Sequence, residues 1–353
     1  MDLKKKKINI YYGGFSFITG GVNAHSKKLK KQLEILNYDV RLITLDSLPF
    51  FLKYLPHIYE KLINFFIFPL GFYYKGILTK YLYKIFYDRN VDVNIFEDIY
   101  LSWNSKISSI TLLHAVWSDN LQAYKTKKKQ ILPLIKKEAN LINLTNHNVI
   151  TVSNPYRLFL QNYHFKNLIN KKIHVVELGL NLELFNRKKN RIKKSIIYVG
   201  ALEKRKNIEF LIKVFKKIYL KNNNFTFNII GDGPQYKEIL KKVKNQNLPV
   251  KFFGRLNSKQ VIENLLENEI YLHTSIKESF SYSLLEAKLS GLITLAYSNL
   301  EVPDEFIDIP LEVFDEDLWA NKILNLENNK KKNFLNSKYS IVESTNRLIK
   351  LIK

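Results

Sequence analysis

ESFSYSLLEAKLSG, Glu278 to Gly291, places two carboxylates eight positions apart at the opening of a helix. Leu284, Leu285 and Leu289 recur at the spacing of a core-facing helical stripe. Ser279, Phe280, Ser281 and Tyr282 therefore fall near its N-terminus, where unpaired N–H groups and the positive end of the dipole can hold a diphosphate. Glu286, two turns on from Glu278 and on roughly the same side, can accept hydrogen bonds from sugar hydroxyls. An anion bracketed by two such carboxylates suits a nucleotide sugar. Two solvated charges on a helix are the alternative from these residues alone.

Outward from this stretch, short β-rich runs alternate with longer amphipathic segments, the pattern of parallel α/β domains. Lys7 to Tyr12, Asp39 to Thr44, Val91 to Phe96, Ser109 to His114, Asn148 to Val152 and His174 to Glu177 read as strands of a first sheet. Ser195 to Val199, Phe225 to Ile230, Val250 to Phe253, Ile270 to His273 and Leu292 to Ala296 read as a second. The polar run NRKKNRIKK, Asn186 to Lys194, has no buried period and suits a linker. The expected organisation is thus a first domain over 1–186, a linker over 187–194, a second domain over 195–336 and a final helix over 337–353. Open α/β sheets bind ligands beyond the carboxyl ends of their strands, so loops there are the place to look for function.

The glutamate pair resembles the E-x7-E signature of retaining glycosyltransferases of the GT-B fold, specifically glycosyltransferase family 4, the glycosyl transferases of group 1. The resemblance runs over nearly the whole chain. It implies two Rossmann-like doubly wound domains facing a cleft, with the C-terminal helix crossing back onto the first. Gly20-Gly21, after the first strand, resembles the family's GG loop beside the donor diphosphate, though a glycine pair also makes an ordinary turn. His114 closes a strand where the family places a histidine against the transferred sugar; a structural histidine is the alternative. VGALEKRKN, Val199 to Asn207, offers Lys206 to the leaving diphosphate. It departs from the family's G-R-x-x-x-x-K, with Ala201 in the arginine's place and Arg205 either supplying the charge or facing solvent. IIGDGP, from Ile229, and FFGRL, from Phe252, resemble landmarks of the donor domain, where Arg255 and Leu256 would flank the base. LGLNLELF, Leu178 to Phe185, resembles the segment that ends the first domain. The resemblance implies Glu278 and His114 on the sugar, Glu286 on the ribose, and Lys206 with the amides after Phe280 on the diphosphate. The acceptor proton would pass to the donor's own phosphate in a same-face reaction.

The 353 residues are 46% hydrophobic and include no cysteine, which excludes disulfides, thiolate metal sites and a cysteine nucleophile and is compatible with a reducing cytoplasm. The basic start leads into a short apolar run and glycines, so the chain is read without a secretory leader. The only D-x-D string, Asp315 to Asp317, is read as part of a C-terminal loop, and no metal or other cofactor is expected. Net charge is +24, with 29 Lys and Arg against 13 Asp and Glu in residues 1–190. Attraction to an anionic membrane face, a polyanionic partner and compositional drift toward lysine all fit that excess. Pro49 to Arg89 interleaves Phe, Tyr and Leu with lysines and has Glu60 and Asp88 as its only acidic residues, which suits a lipid headgroup region or a helical subdomain. The expected partners are a nucleotide sugar, a glycan or lipid-linked acceptor of the lipopolysaccharide or polysaccharide type, and the inner face of the cell membrane, with peripheral attachment. Nucleic acid is not expected. A nucleotide-sugar 2-epimerase of related fold, a non-catalytic relative and a polyanion-binding protein are the alternatives.

Overall fold

The computed structural model describes residues 5–18, 20–124, 126–187, 189–326, 334 and 337–352, and the chain divides into two units, Met1–Asn181 with Ser337–Lys353, and Leu182–Asn336. The first unit holds strands β1 (Lys7–Tyr11), β2 (Asp39–Ile43), β3 (Val93–Phe96), β4 (Ser108–Leu113), β5 (Asn148–Thr151) and β6 (Ile173–Val175) in the order β2-β1-β3-β4-β5-β6. The second holds β7 (Ser195–Val199), β8 (Thr226–Ile230), β9 (Val250–Gly254), β10 (Ile270–His273), β11 (Ile293–Tyr297) and β12 (Ile309–Leu311) in the order β12-β11-β10-β7-β8-β9. Every pairing is parallel. Ile8, Ile10, Ile95 and Ile110 in one sheet and Ile196, Tyr198, Phe227 and Leu272 in the other are buried, as strands covered on both faces require.

Chain direction across the sheet reverses between β1 and β3 in the first unit and between β7 and β10 in the second. At such switch points the loops leaving neighbouring strands diverge and open a crevice at the carboxyl edge. The loop from β1 to helix α1 (Gly21–Ile35) and the residue after β3 meet at the first, and the loops after β7 and β10 at the second. The C-terminal helix Ile341–Lys350 belongs to the first unit. Its Leu348 joins the core with Leu29 and Leu33, and Arg347 pairs with Glu177 at 2.6 Å.

Several expectations change. The boundary falls between Asn181 and Leu182 rather than after Asn186. Residues 189–194, mostly exposed, are tied to the second unit at two points: Ile192 N–H donates to Glu267 O at 2.8 Å, and Arg191 donates to the carbonyls of Asn268, at 2.6 Å, and Ser290. Lys188 of the linker and, toward the ends of the expected second domain and final helix, residues 327–333, 335, 336 and 353 lie outside the described residues. Strand β12, three residues long with Pro310 at its centre, is too short to show a period. Asp315 to Asp317 does not lie in a loop but opens the helix Glu316–Leu324, where Asp315 caps Leu318 N–H at 2.7 Å and Asp317 pairs with Lys217. The aromatic insert folds as two helices packed on each other, α2 (Leu55–Phe66) and α3 (Gly71–Tyr87). No helix among the described residues is long and apolar enough to cross a membrane.

Candidate functional site

In the second unit a three-residue turn, Lys204 to Lys206, follows β7 and is bolted to the loop after β10. Thr274 Oγ1 donates to Lys206 O at 2.8 Å, Ile276 N–H to Arg205 O at 3.0 Å, and Arg205 Nη1 to Lys277 O at 2.8 Å. This brings Lys206 and Arg205 onto Glu278. Nζ of Lys206 bonds to Glu278 Oε1, Nη1 of Arg205 lies 3.6 Å from the same oxygen, and Nε2 of His273 lies 3.4 Å from it. Burial pushes the Glu278 carboxyl up, but Lys206, His273 and Arg205 outweigh it and hold the group well below the usual carboxylate range. Burial lowers Lys206 and His273 in turn, with Glu278 opposing both shifts. The nearest approach of each of these three groups is to Oε1. Arg205 therefore faces the cluster, and its other guanidinium nitrogen meets Glu203 at 3.1 Å.

Glu278 is not on the helix. It lies in the loop ahead of Tyr282–Leu289, so its relation to Glu286 is that of a loop residue facing a helix rather than of two turns of one helix. Ser281 ends that loop at φ 66°, a strained position for a side-chain-bearing residue, and caps the helix through Leu284 N–H. Phe280 is buried edge-on against Tyr282 and Phe306, so it anchors the loop and only its backbone is available to a ligand. Gly231, at φ 143°, lets the loop after β8 pass Gly200, whose carbonyl oxygen would stand 1.8 Å from any Cβ there. Arg255, exposed, faces Asp232 at 3.8 Å, with Leu256 beside it after β9.

In the first unit His114 stands immediately after β4, and its Nε2 meets Glu97 Oε2 at 2.6 Å. His25 of α1 places Nδ1 3.1 Å from the same oxygen. Neither Glu97 nor His25 belongs to a recognisable motif. The available signals were a carboxylate directly after β3, at the switch point, and a histidine four residues past Gly21. Burial raises Glu97, but the two imidazoles outweigh it and keep the group ionised, while burial lowers His114 against the pull of Glu97. A carboxylate only accepts, so neutral His114 carries its proton on Nε2. His25, Glu97 and His114 are also the one donor set among the described residues that could hold a metal ion, with ligand atoms within 4.8 Å of one another. Gly20 is extended at φ −178° and Gly21 begins α1, and a Cβ at either would touch nothing. Neither backbone nor packing requires glycine there, which favours ligand access over an ordinary turn.

The loop bearing His114 hangs on buried side chains. Val116 N–H donates to Tyr156 Oη at 3.0 Å, Trp117 N–H to Tyr100 Oη at 3.2 Å and Ser118 N–H to Glu138 Oε1 at 3.0 Å. Tyr100 Oη and Ser118 Oγ also bond to Glu138. Nearby, α2 and its flanks expose Phe50, Phe51, Leu62, Phe65 and Phe66, and Lys53 lies 4.8 Å above the Phe50 ring.

Residues 183–339 match the family described as Glycosyl transferases group 1. An uncharacterised 41.2 kDa protein in the cps region of Klebsiella pneumoniae is 30% identical over 146 residues, 41% of this chain and 38% of that protein. The amylovoran biosynthesis glycosyltransferase AmsD of Erwinia amylovora is 26% identical over 47% of this chain and 45% of its own length. The chain thus spans less than half the length of these curated relatives. Among solved structures, Anabaena HepE in complex with UDP and glucose superposes with a TM-score of 0.65 at 17% identity, covering 98% of each chain. The fold is GT-B, and the resemblance to group 1 glycosyl transferases read from the sequence is borne out.

Burial pushes Glu138 up to about 7 and the neighbouring Asp98 up to about 8. Folded values above the unfolded ones mean that the unfolded chain releases these protons first. The stability they confer is therefore complete below about pH 4 and falls as pH rises toward the folded values. Glu97 and Glu278 are lowered and act only below the ordinary carboxylate range. The first unit should melt at lower temperature at about pH 8.5 than at about pH 6.5, and Glu138→Gln should flatten that fall. A melting temperature that rises over the window would contradict the assignment.

Proposed function

We propose that the chain is a retaining glycosyltransferase that moves a sugar from a nucleoside diphosphate to a glycan or glycolipid acceptor of the lipopolysaccharide or cell-surface polysaccharide type, working at the cytoplasmic face of a membrane. The observation that carries this is the convergence of Lys206, Arg205 and His273 on one oxygen of Glu278 at the switch point of the second sheet. Glu286 stands on the helix that opens beside them. Cationic groups for a leaving diphosphate, a carboxylate able to accept from sugar hydroxyls and a helix N-terminus are together in one crevice.

Glu286 takes the ribose hydroxyls. Lys206 and Arg205, with the amides after Phe280, take the diphosphate, and Arg205 stands in for the arginine absent at Ala201. Glu278 accepts from hydroxyls of the transferred sugar, and in the first unit Glu97 holds His114 with its Nε2 proton in place. The bond between the anomeric carbon and the diphosphate oxygen breaks, the acceptor oxygen attaches on the same face, and its proton leaves with the departing phosphate. Charge developing on the diphosphate is where Lys206 acts, since a preorganised cation in a dry site is worth most in the transition state. No metal is assigned a part. HepE, with UDP and glucose bound, and AmsD, a glycosyltransferase of amylovoran biosynthesis, support the donor and acceptor classes. Exposed rings on α2 beside lysines, in the half of the chain with the larger positive excess, support a membrane surface.

Two experiments test this reading. Thermal stability should rise selectively with one of the UDP, GDP, ADP or CDP sugars, by roughly 2.7 kcal/mol at about a hundred times the dissociation constant. Glu286→Ala should abolish the rise and EDTA should leave it unchanged, whereas indifference to every nucleotide sugar would refute the donor site. Sedimentation with phosphatidylglycerol vesicles should retain the protein at low salt and lose it at high salt. Phe65→Ser with Phe66→Ser should weaken retention at least about tenfold, since each fully buried ring contributes roughly 1.5–3 kcal/mol. Equal binding of wild type and double variant would remove α2 from the membrane account.

A further inference from the structure

Lys206 has two claims on it. It is bonded to Glu278 Oε1, and under the donor-site reading, on which this inference rests, it also faces the diphosphate. An ammonium is a compact charge at the end of a flexible stem, and a diphosphate attracts it more strongly than a single carboxylate does. Drawing Lys206 toward phosphate leaves Glu278, a largely buried carboxylate, short of a partner.

His273 is placed to replace it. The ring is 1% exposed, and Nε2 lies 3.4 Å from Glu278 Oε1, wide of a good hydrogen bond and with no hydrogen-bond partner among the described residues. Its other nitrogen is held. Tyr271 Oη lies 3.3 Å from Nδ1 and 3.2 Å from Val199 O, and the two rings stack at 23°. Since ionised Glu278 only accepts, the favourable neutral tautomer carries its proton on Nε2, which leaves Nδ1 an acceptor that shares the one Tyr271 hydroxyl proton with Val199 O. The donor order Tyr271, His273, Glu278 thus ends at the carboxylate, with Val199 O of β7 competing for the tyrosine proton and fixing the position of its hydroxyl.

We propose that His273, oriented by Tyr271, is a positioning residue that takes over Oε1 of Glu278 as the diphosphate draws Lys206 off it, holding Oε2 against the transferred sugar. The effect belongs to the sugar moiety and not to the nucleotide. Neither His273 nor Tyr271 touches the diphosphate in this scheme, so binding of a nucleoside diphosphate without sugar is insensitive to both.

Isothermal titration with UDP-glucose against UDP, and GDP-mannose against GDP, separates the cases, with kcat and KM for donor hydrolysis measured alongside. In His273→Phe the free diphosphates should bind as in wild type, the sugar nucleotide should bind roughly tenfold more weakly, and kcat should fall on the order of a hundredfold. His273→Gln, which keeps an N–H for Oε1, should recover most of the loss, and Tyr271→Phe should fall between. Equal weakening of diphosphate and sugar nucleotide would mark His273 as merely structural and overturn the proposal, as would unchanged parameters. If His273→Phe does not fold, Tyr271→Phe against His273→Gln decides by the same comparison. The pair used is the one whose sugar nucleotide stabilises wild type; if none of the UDP, GDP, ADP and CDP sugars binds, the donor-site reading fails first and takes this inference with it.

Discussion

A carboxylate taken out of water stays charged only when cationic or N–H partners replace its hydration, and Glu278 is kept ionised by Lys206, His273 and Arg205. The requirement shapes its surroundings. The turn at Lys204 to Lys206 is held to the loop after β10 by backbone bonds, so the partners arrive with fixed geometry. The strained Ser281 and the buried Phe280 then set where the next helix begins. Removing Glu278 would leave a partly buried lysine and arginine facing each other, and removing Lys206 would leave a partly buried anion short of its nearest cation.

The first unit solves the same problem with different chemistry. Glu97 sits at its switch point fully enclosed, and its partners are two imidazoles rather than a lysine. Imidazoles carry less charge and more directional hydrogen bonding, so Glu97 serves orientation of His114, while Glu278 is tied to groups able to meet phosphate. The anchoring of the 114–118 loop on Tyr156, Tyr100 and Glu138 adds a second layer of fixation behind the same histidine. Both arrangements occur where parallel sheets reverse direction, the place where loops can diverge without disturbing strand packing.

Sequence reading located what depends on local pattern. Eleven of the strands could be read from β-branched runs and their spacing, whereas Lys206, His114 and Glu286 became candidates chiefly through the resemblance to a known family. Groups defined by distant partners could not be read. His273 looks like the last residue of a buried strand until Glu278 is folded against it, and Glu97 acquires meaning only beside His25, 72 residues earlier. The direction of Arg205 depends on Lys277 and Glu278 across the sheet. The eight-residue spacing from Glu278 to Glu286 suggested one helix because the period of the leucines was read back past Ser281, where the backbone turns. The anchoring of the 189–194 segment was hidden for a related reason, since Arg191 reaches carbonyls 77 and 99 residues away.

The most direct measurement is a crystal structure with a non-hydrolysable nucleotide sugar bound. The account predicts the diphosphate at Nζ of Lys206 and the amides of the Tyr282–Leu289 helix start, a sugar hydroxyl on Glu278 Oε2, and the Lys206 to Glu278 bond lengthened. Ligand bound elsewhere, or bound with Lys206 still seated on Glu278 and the sugar away from Oε2, would contradict it.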